Sequence, residues 1–433
     1  MTIQRRSFLK AGVIGAGTMA LNAAPAVAAG TLVDRVRIAQ IGCGGQGRSL
    51  AKRFHGNKHA EVVYVCDIDQ SRREKAKSEL GGKPEAISDL RKIIDDKSIH
   101  AVGIATPDHW HTPAALMAME AGKHVYVEKP CSHNVKEGRL LIESARQHQL
   151  HVQHGTHSRS INLIASGIAA LRENVIGEVL VAKAWNVQQR SEIGRAKPST
   201  PPKNVDYDTW VGPAEFMPYQ ENRFHYNWHW WHNFGTGDTG NDGVHELDIA
   251  RWGLGVTTHP SFVSSAGGKL SFDDDQQFPD TQFVAFDYPA SDGTGGKRRQ
   301  LVFEMRLWSR YGIDSVDNGN AFYGTEGWML LSKRGILKVF DKKNKEQKLN
   351  LPGVRLDEHT VNFVETIRGN SKTLNAEIEV GHLSSTLCHL ANMSTRIGRS
   401  ITFDPQTETI ANDKQASALL GRSYRDDHWA SPV

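Results

Sequence analysis

The apolar run Val36-Arg-Ile-Ala-Gln-Ile41 passes directly into Gly42-Cys-Gly44-Gly45-Gln46-Gly47, and a second apolar run, 61–66, closes on Asp67 twenty residues after the last glycine. A strand, a glycine turn of fixed spacing, a helix-compatible segment at 46–54 and an acid ending the next strand constrain this region to a β-turn-α-β unit. Gly42 permits the tight turn, Gly44 lets the backbone approach a pyrophosphate, and Gly47 allows the helix to pack closely on the sheet. The N–H groups around Gly45 and Gln46, at the start of that helix, face the phosphates. Asp67 is expected to accept hydrogen bonds from the adenosine ribose hydroxyls and to repel a 2′-phosphate, which predicts NAD in preference to NADP. Arg72 and Arg73 stand close enough to weaken that preference.

Spacing alone does not identify such a unit. Gly235-Thr-Gly237-Asp-Thr-Gly240 repeats it after an aromatic, histidine-rich stretch with no β-branched strand, and is expected to be a flexible loop. Beyond the first unit, apolar runs at 101–105, 123–127 and 151–153 alternate with helical patterns at 71–80, 112–121 and 135–149. The alternation predicts an α/β fold, a Rossmann domain with a doubly wound parallel sheet over 34–155. From about residue 177 strands dominate, at 178–189, 281–288, 299–307, 319–323 and 328–332. These predict an open antiparallel sheet in an α+β domain over 156–405. Helical patterns at 357–368 and 381–397 are expected to pack back on the first domain, and 406–433 reads as a C-terminal tail. The sequence holds no internal repeat, and only 291–296 resembles low complexity.

The N-terminus reads Gln4-Arg5-Arg6-Ser7-Phe8-Leu9-Lys10, then an uncharged Ala/Gly-rich run, then Ala26-Val27-Ala28. It looks like a twin-arginine export signal over 1–28, read by the Tat machinery and cleaved at a small-x-small site; a Sec signal or an uncleaved anchor is the alternative. The mature chain is then expected in the periplasm or outside the cell, with no stable membrane insertion. Outside the cytoplasm there is no pool of free NAD, so the nucleotide is expected to be carried out tightly bound and recycled on the enzyme. Removing Arg5, Arg6 and Lys10 leaves 49 Lys+Arg against 48 Asp+Glu, a formal charge of +1. A nearly neutral surface gives no electrostatic case for nucleic acid. Cys43, Cys66, Cys131 and Cys388 lie in or near apolar segments without metal-like spacing and are expected to be buried thiols.

Three segments should carry chemistry, the first two directly after strands. In Thr106-Pro107-Asp108-His109-Trp110-His111, residues Thr106, Pro107, His109 and His111 are expected to touch the nicotinamide ribose or substrate; the bland reading is a loop leading to a helix capped by Thr112 before Pro113. In Glu128-Lys129-Pro130, the proline holds the lysine extended and its peptide bond can be cis. A cation there could bind a substrate hydroxyl and stabilise the alkoxide that forms as hydride leaves, with Glu128 orienting it; otherwise the pair merely ends a strand. In the segment from Asn241 to Trp252, Val244, Leu247 and Ile249 look core-facing, while Asn241 and His245 share another helix face. His245 is the expected general base, a value near 7 suiting removal of a hydroxyl proton. Asp248 could instead be the more important group, or His245 a satisfied core imidazole.

In this order the motifs resemble the Gfo/Idh/MocA oxidoreductases, named for glucose-fructose oxidoreductase and inositol dehydrogenase. The resemblance covers nearly all of the mature chain, and Asp206-Tyr-Asp-Thr-Trp-Val-Gly-Pro213, Tyr323-Gly-Thr-Glu-Gly327 and 392–399 are similar to a secreted, twin-arginine branch. It implies a Rossmann domain joined to an open-faced β-sheet domain that often mediates oligomers, hence a homo-oligomer. It also implies that Lys129 and His245 act on a sugar or polyol hydroxyl. One position departs: the family commonly has Asp four residues before the histidine, where this chain has Asn241 with Asp242 adjacent. Asparagine can orient the imidazole but cannot stabilise its charged form as a carboxylate would; a one-residue shift that uses Asp242 is the alternative.

Between the domains lies Arg223-Phe-His-Tyr-Asn-Trp228-His-Trp230-Trp231-His232. Flat aromatic faces suit the C–H surfaces of sugar rings, so Trp228, Trp230, Trp231 and His232, with Asp248, are expected to line a carbohydrate cleft; the alternative is that the tryptophans fill the domain interface. The histidines are not expected to hold a metal. Together these readings predict an NAD-dependent oxidoreductase moving hydride from a carbohydrate or polyol carbon to tightly bound NAD. A second reading is an NAD-dependent glycosidase, in which oxidation at C3 acidifies the C2 proton, elimination cleaves the glycosidic bond and the ketone is reduced again. A third is a non-catalytic dinucleotide- and sugar-binding protein.

Overall fold

The computed structural model describes residues 34–290, 296–349, 351, 353–426 and 428–432; the expected export signal at 1–28 and most of the low-complexity stretch lie outside them. Six parallel strands form the first sheet: β1 (Val36–Ile41), β2 (Ala60–Cys66), β3 (Glu85–Ile87), β4 (Ala101–Ile104), β5 (His124–Val127) and β6 (Val152–His154), in the order β3-β2-β1-β4-β5-β6. Helices α1 (Gly45–Gly56), α2 (Gln70–Glu79), α3 (Arg91–Asp95), α4 (His111–Glu120) and α5 (Val135–His148) connect them. Ile38, Ala39, Val102 and Val125 are wholly buried, as strands covered on both faces require, which is why they read as continuous apolar runs. Asn134 starts α5 by accepting the Glu137 N–H at 3.0 Å, and Asp69 starts α2 by accepting the Ser71 N–H at 2.8 Å. The chain works outward from β1 to β3, then returns to β4 on the other side of β1. That reversal leaves a crevice above the strand ends.

Helix α6 (Asn162–Arg172) leads into a nine-stranded sheet of order β14-β13-β12-β11-β7-β10-β9-β8-β15. Its strands are β7 (Val179–Asn186), β8 (Phe262–Gly268), β9 (Thr281–Tyr288), β10 (Arg299–Arg306), β11 (Asn318–Gly324), β12 (Gly327–Ser332), β13 (Ile336–Asp341), β14 (Glu346–Gln347) and β15 (Ile401–Thr402). Helices α7 (Tyr207–Val211), α8 (Val244–Leu254), α9 (His359–Ile367), α10 (Ile378–Ile397) and α11 (Lys414–Ala418) complete the second domain. The sheet is mixed rather than wholly antiparallel, because β7 runs parallel to β10 with Ala182 opposite Leu301. A long crossover carrying α8 separates β7 from the later strands, and a crossover, unlike a hairpin, can return the chain in the same direction. Val244, Leu247 and Leu390 of α8 and α10 cover one face together with Phe286 and Phe303. The other face buries a small cluster of Trp185, Ala321 and Leu330 with Val316 and is otherwise open, presenting Phe283 and Tyr323 to solvent.

Helix α10 also packs against α5 and β6, so the C-terminal helices return to the first domain. The described residues of 406–433 are not a free tail. The Glu408 carboxylate accepts from His259 Nε2 at 2.9 Å and His382 Nε2 at 2.8 Å and pairs with Arg139, while Arg422 Nε and the Tyr424 hydroxyl both donate to Glu137 Oε1 at 2.7 Å. All four cysteines are buried free thiols. Among the described residues no helix is long and apolar enough to cross a membrane.

Candidate active site

A cavity of about 630 Å³ follows the C-terminal edge of the parallel sheet, from Ser88 after β3, past Asp67 after β2 and Gly42 after β1, to Thr106 after β4 and Lys129 after β5. Four inter-strand steps make that edge roughly 19 Å long at about 4.8 Å each. Its middle is a backbone cradle. Gly42 has φ +82°, and a Cβ there would lie 2.4 Å from the Ala105 carbonyl oxygen; a Cβ on Gly47 would lie 1.9 Å from the Gly42 carbonyl oxygen. Nothing but glycine fits either place, whereas Gly45 faces open space at the N-terminus of α1. Backbone N–H groups there face the cavity, the arrangement that binds phosphate. Asp67 borders the cavity too, although it already accepts the N–H groups of Cys43 at 2.7 Å and Asp69 at 2.9 Å. Burial pushes its carboxyl above the usual range. Arg72 also borders this end, over Gly44.

At the other end, Gln46 Nε2 donates to Glu128 Oε1 at 2.7 Å, tying the cradle to the Glu-Lys-Pro segment, whose Lys129–Pro130 bond is cis. Lys129 Nζ donates to the backbone carbonyl of Asn241 and to its Oδ1 at 3.2 Å. Two of the three ammonium protons are thereby engaged, and the third is left for a ligand. The Asn241 amide is oriented in turn by donating Nδ2–H to Asp238 Oδ1 at 2.9 Å. Asp238 is fully buried and also accepts from Arg190 at 2.9 Å and from Asn186 at 3.0 Å. Residues 239–243 form a single π-helical turn before α8, a wider winding that sets both Asn241 and His245 on the cavity wall. The His245 ring packs edge-on against His157 with centroids 4.9 Å apart, and its Nδ1 is buried without a hydrogen-bond partner. Burial first, then the charges of Lys333, His157 and Lys129, hold His245 well below the ordinary imidazole value, so the value near 7 expected from sequence is not kept. The imidazole is neutral and can accept a proton.

Residues 36–156 match the model of an oxidoreductase family with an NAD-binding Rossmann fold, Gfo/Idh/MocA, and residues 157–287 and 324–430 match that family's C-terminal α/β domain. The chain belongs to the Gfo/Idh/MocA oxidoreductase family. Its cofactor is NAD. Glycosyl hydrolase family 109 protein 2 from Shewanella sp. (strain ANA-3) is 31% identical over 223 residues, covering 44% of this chain and 48% of that protein. The chain spans about half the length of the curated relatives it matches. The WlbA dehydrogenase from Bordetella pertussis, solved with NADH and UDP-GlcNAcA, has TM-score 0.64 at 15% identity and covers 86% of this chain and 99% of that one. Levoglucosan dehydrogenase, solved with NADH, has TM-score 0.63 at 18% identity and covers 84% and 98%. At such identities the likeness is one of fold.

Asn241, expected to orient the His245 imidazole, is instead bonded to Lys129, and a carboxylate stands one hydrogen bond behind it. Asp238 supplies the charge, and Asn241 carries its influence to Lys129. The alternative, a one-residue shift that uses Asp242, is not what the fold adopts: Asp242 pairs with Lys333 at 3.3 Å and does not border the cavity. The Gly235–Gly240 stretch is likewise no flexible loop, since a Cβ on Gly240 would lie 2.0 Å from Thr236 Oγ1 and the segment is buried.

Of the other expected residues, Thr106, Pro107, His111, Glu128 and Trp228 border the cavity. His111 is fixed between two carbonyls, Pro130 at 2.7 Å and Thr106 at 2.9 Å. His109 does not reach the cavity: its ring faces the carbonyls of Trp210 at 2.9 Å and Phe234 at 3.3 Å, and burial pushes it down to about 3. It ties the two domains together. Thr112 lies inside α4 rather than capping it. Trp230 and Trp231 are buried, Arg223 lies over the Trp231 ring at 4.2 Å, and His232 packs on Phe278 at 4.4 Å, so these three pack within the second domain and do not border the cleft. Asp248 is a wholly buried partner of Arg159, at 2.8 and 2.9 Å, and of Ser384 at 2.6 Å. Sequence reasoning passed over Asp108, His157, Tyr226 and His229, all on the cavity wall. Asp108 accepts from Thr236 Oγ1 at 2.6 Å, and burial raises it to about 6. His157 was findable, because it follows the C-terminal end of β6 as Lys129 follows β5.

Proposed function

We propose that this chain transfers hydride between a hydroxyl-bearing carbon of a carbohydrate or polyol and NAD held in the cradle. The observation that carries the reading is the meeting of Lys129 and His245 at the end of the cavity away from Asp67. Bound NAD supplies the hydride acceptor. Lys129, fixed by Asn241, donates its remaining proton to the substrate oxygen and steadies the charge that grows there. His245, kept neutral by burial, takes the hydroxyl proton. Tyr226, Trp228 and His229 wall the same end with rings and polar groups suited to a sugar, and the similar folds solved with NADH include one holding a nucleotide sugar. Tight retention of NAD follows from the twin-arginine signal expected at 1–28, which places the enzyme outside the cytoplasm. The exposed Phe283 and Tyr323 of the open sheet face favour assembly with further copies of the chain.

A second reading, redox-neutral cleavage of a glycoside through a 3-keto intermediate, draws support from the glycosyl hydrolase relatives. Screening sugars and glycosides while following absorbance near 340 nm, with product analysis, tests both. A lasting ketone supports the dehydrogenase, and a released aglycone with no net reduction supports the glycosidase. Undetectable hydride exchange with every sugar, while NAD and glycan still bind, refutes both and leaves a non-catalytic binding protein.

A further inference from the structure

The end of the crevice beyond Asp67 is closed by a side chain from the opposite terminus. Trp429 borders the cavity beside Ile68, Ser88 and Leu90, and the Arg91 guanidinium lies over its ring, 4.8 Å from the centroid. Its neighbour Ala430 is buried in the apolar cluster of the parallel sheet that includes Leu90 and Trp110, and the Trp110 ring meets that of Trp429 at 5.7 Å. Upstream the segment is pinned to both domains. Arg422 and Tyr424 hold Glu137 of α5, and Arg425 pairs with Asp208 of α7 at 2.6 Å while its N–H donates to the Pro213 carbonyl at 2.8 Å. Despite these anchors Trp429 keeps 39% of its surface exposed, a large apolar ring left uncovered at the rim of a ligand cavity.

We propose that Trp429 is a nucleotide-binding residue: the C-terminal segment crosses the crevice as a strap and presents its indole to the adenine of NAD. A pyrophosphate at the start of α1 and a ribose at Asp67 direct the purine toward β3, away from Lys129. The walls there are Ile68, Ser88, Leu90 and Arg91, and of the two indoles at that end Trp110 is buried whereas Trp429 presents an uncovered face. An indole backed by a guanidinium gives the base the π surface on which purines stack. Because the strap is anchored on both domains, the nucleotide leaves only when the strap moves, which slows exchange.

The test is calorimetric titration of the full chain, freed of copurified nucleotide, with NAD and with ADP-ribose, which lacks the nicotinamide. Trp429→Ala is expected to weaken both by the same factor, between about 5- and 100-fold. Trp429→Phe is expected to bind nearly as the parent does, and Trp429→Leu, of similar bulk but without a π face, as the alanine variant does. Loss of binding together with the fold, read from the unfolding midpoint, is separated by the Leu and Phe pair, which conserve apolar bulk. Parental ADP-ribose affinity in Trp429→Ala, or equal affinities in the Leu and Phe variants, overturns the proposal. A parent chain that binds NAD but no ADP-ribose overturns the placement of the adenosine in the crevice instead.

Discussion

Replacing Asn241 by Asp, which writes the commoner family residue into this chain, is expected to damage it. The Asn241 amide donates to Asp238 Oδ1 at 2.9 Å, so the new side chain sets a second carboxylate against a fully buried one. At about 3 Å and an effective dielectric near 20, two negative charges repel by roughly 5 kcal/mol, before any relief from Arg190 and Lys129. The pair escapes by binding a proton, which limits the cost to about 1.4 kcal/mol for each pH unit above the ordinary carboxylate value near 4, or about 4 kcal/mol at pH 7. The sign follows from linkage: the folded pair titrates above the unfolded carboxyls, so the variant retains its stability in acid and loses it as pH rises. Urea unfolding at pH 5 and pH 8 should therefore show the gap between Asn241→Asp and the parent widening with pH. Adding Asp238→Asn restores one carboxylate and one amide with the places exchanged, and should recover most of the stability and the hydride transfer. A single variant as stable as the parent at both pH values, or a double variant no better than the single one, refutes the idea that Asp238 and Asn241 work as a unit.

Lys129→Met removes the only lysine ammonium that the described residues place on the cavity wall and is expected to lower kcat by about 10²- to 10³-fold while NAD retention is unchanged; loss of the nucleotide instead would assign the lysine to binding. Gly47→Ala drives a Cβ to 1.9 Å from the Gly42 carbonyl oxygen. The turn must shift, at a cost of about 1–3 kcal/mol, and NAD should no longer copurify; a variant that still carries its nucleotide contradicts the cradle. Burial holds His109, His124, His154, His229 and His389 near 3. Their unfolded values near 6.5 are higher, so the stability they protect is complete above that pH and drains as pH falls toward 3, by about 1.4 kcal/mol per histidine at pH 5.5. Urea midpoints at pH 7.5 and 5.5 check it, and equal midpoints refute it.

The first β-turn-α-β unit was legible because its requirements are local. Gly47 is demanded by the Gly42 carbonyl within the same turn and Gly42 by its own positive φ, and strands buried on both faces announce themselves as apolar runs. Lys129 was legible for the same reason, since the end of a parallel strand opens onto the crevice. His109, Trp231 and Asp248 show where such reasoning stops. Each carries the chemistry of a site residue, yet which way a loop or helix turns its side chains depends on what packs against it from elsewhere. Asp238 sat in a glycine pattern that resembled the first one, and only the fold of the second domain makes it the charge behind Asn241. Trp429 lies at the opposite end of the chain from the cradle it closes, and no spacing announces that meeting.

The residue order by itself determined the parallel sheet, the phosphate cradle and the lysine at its far end, because hydrophobic periodicity and backbone sterics act over a few residues. Tertiary packing alone decided which histidines border the cavity, how burial and neighbouring cations keep His245 uncharged, and which distant side chains wall the nucleotide. Those properties arise from desolvation and charge across the domain boundary, where groups remote in sequence first come within a few ångströms of one another.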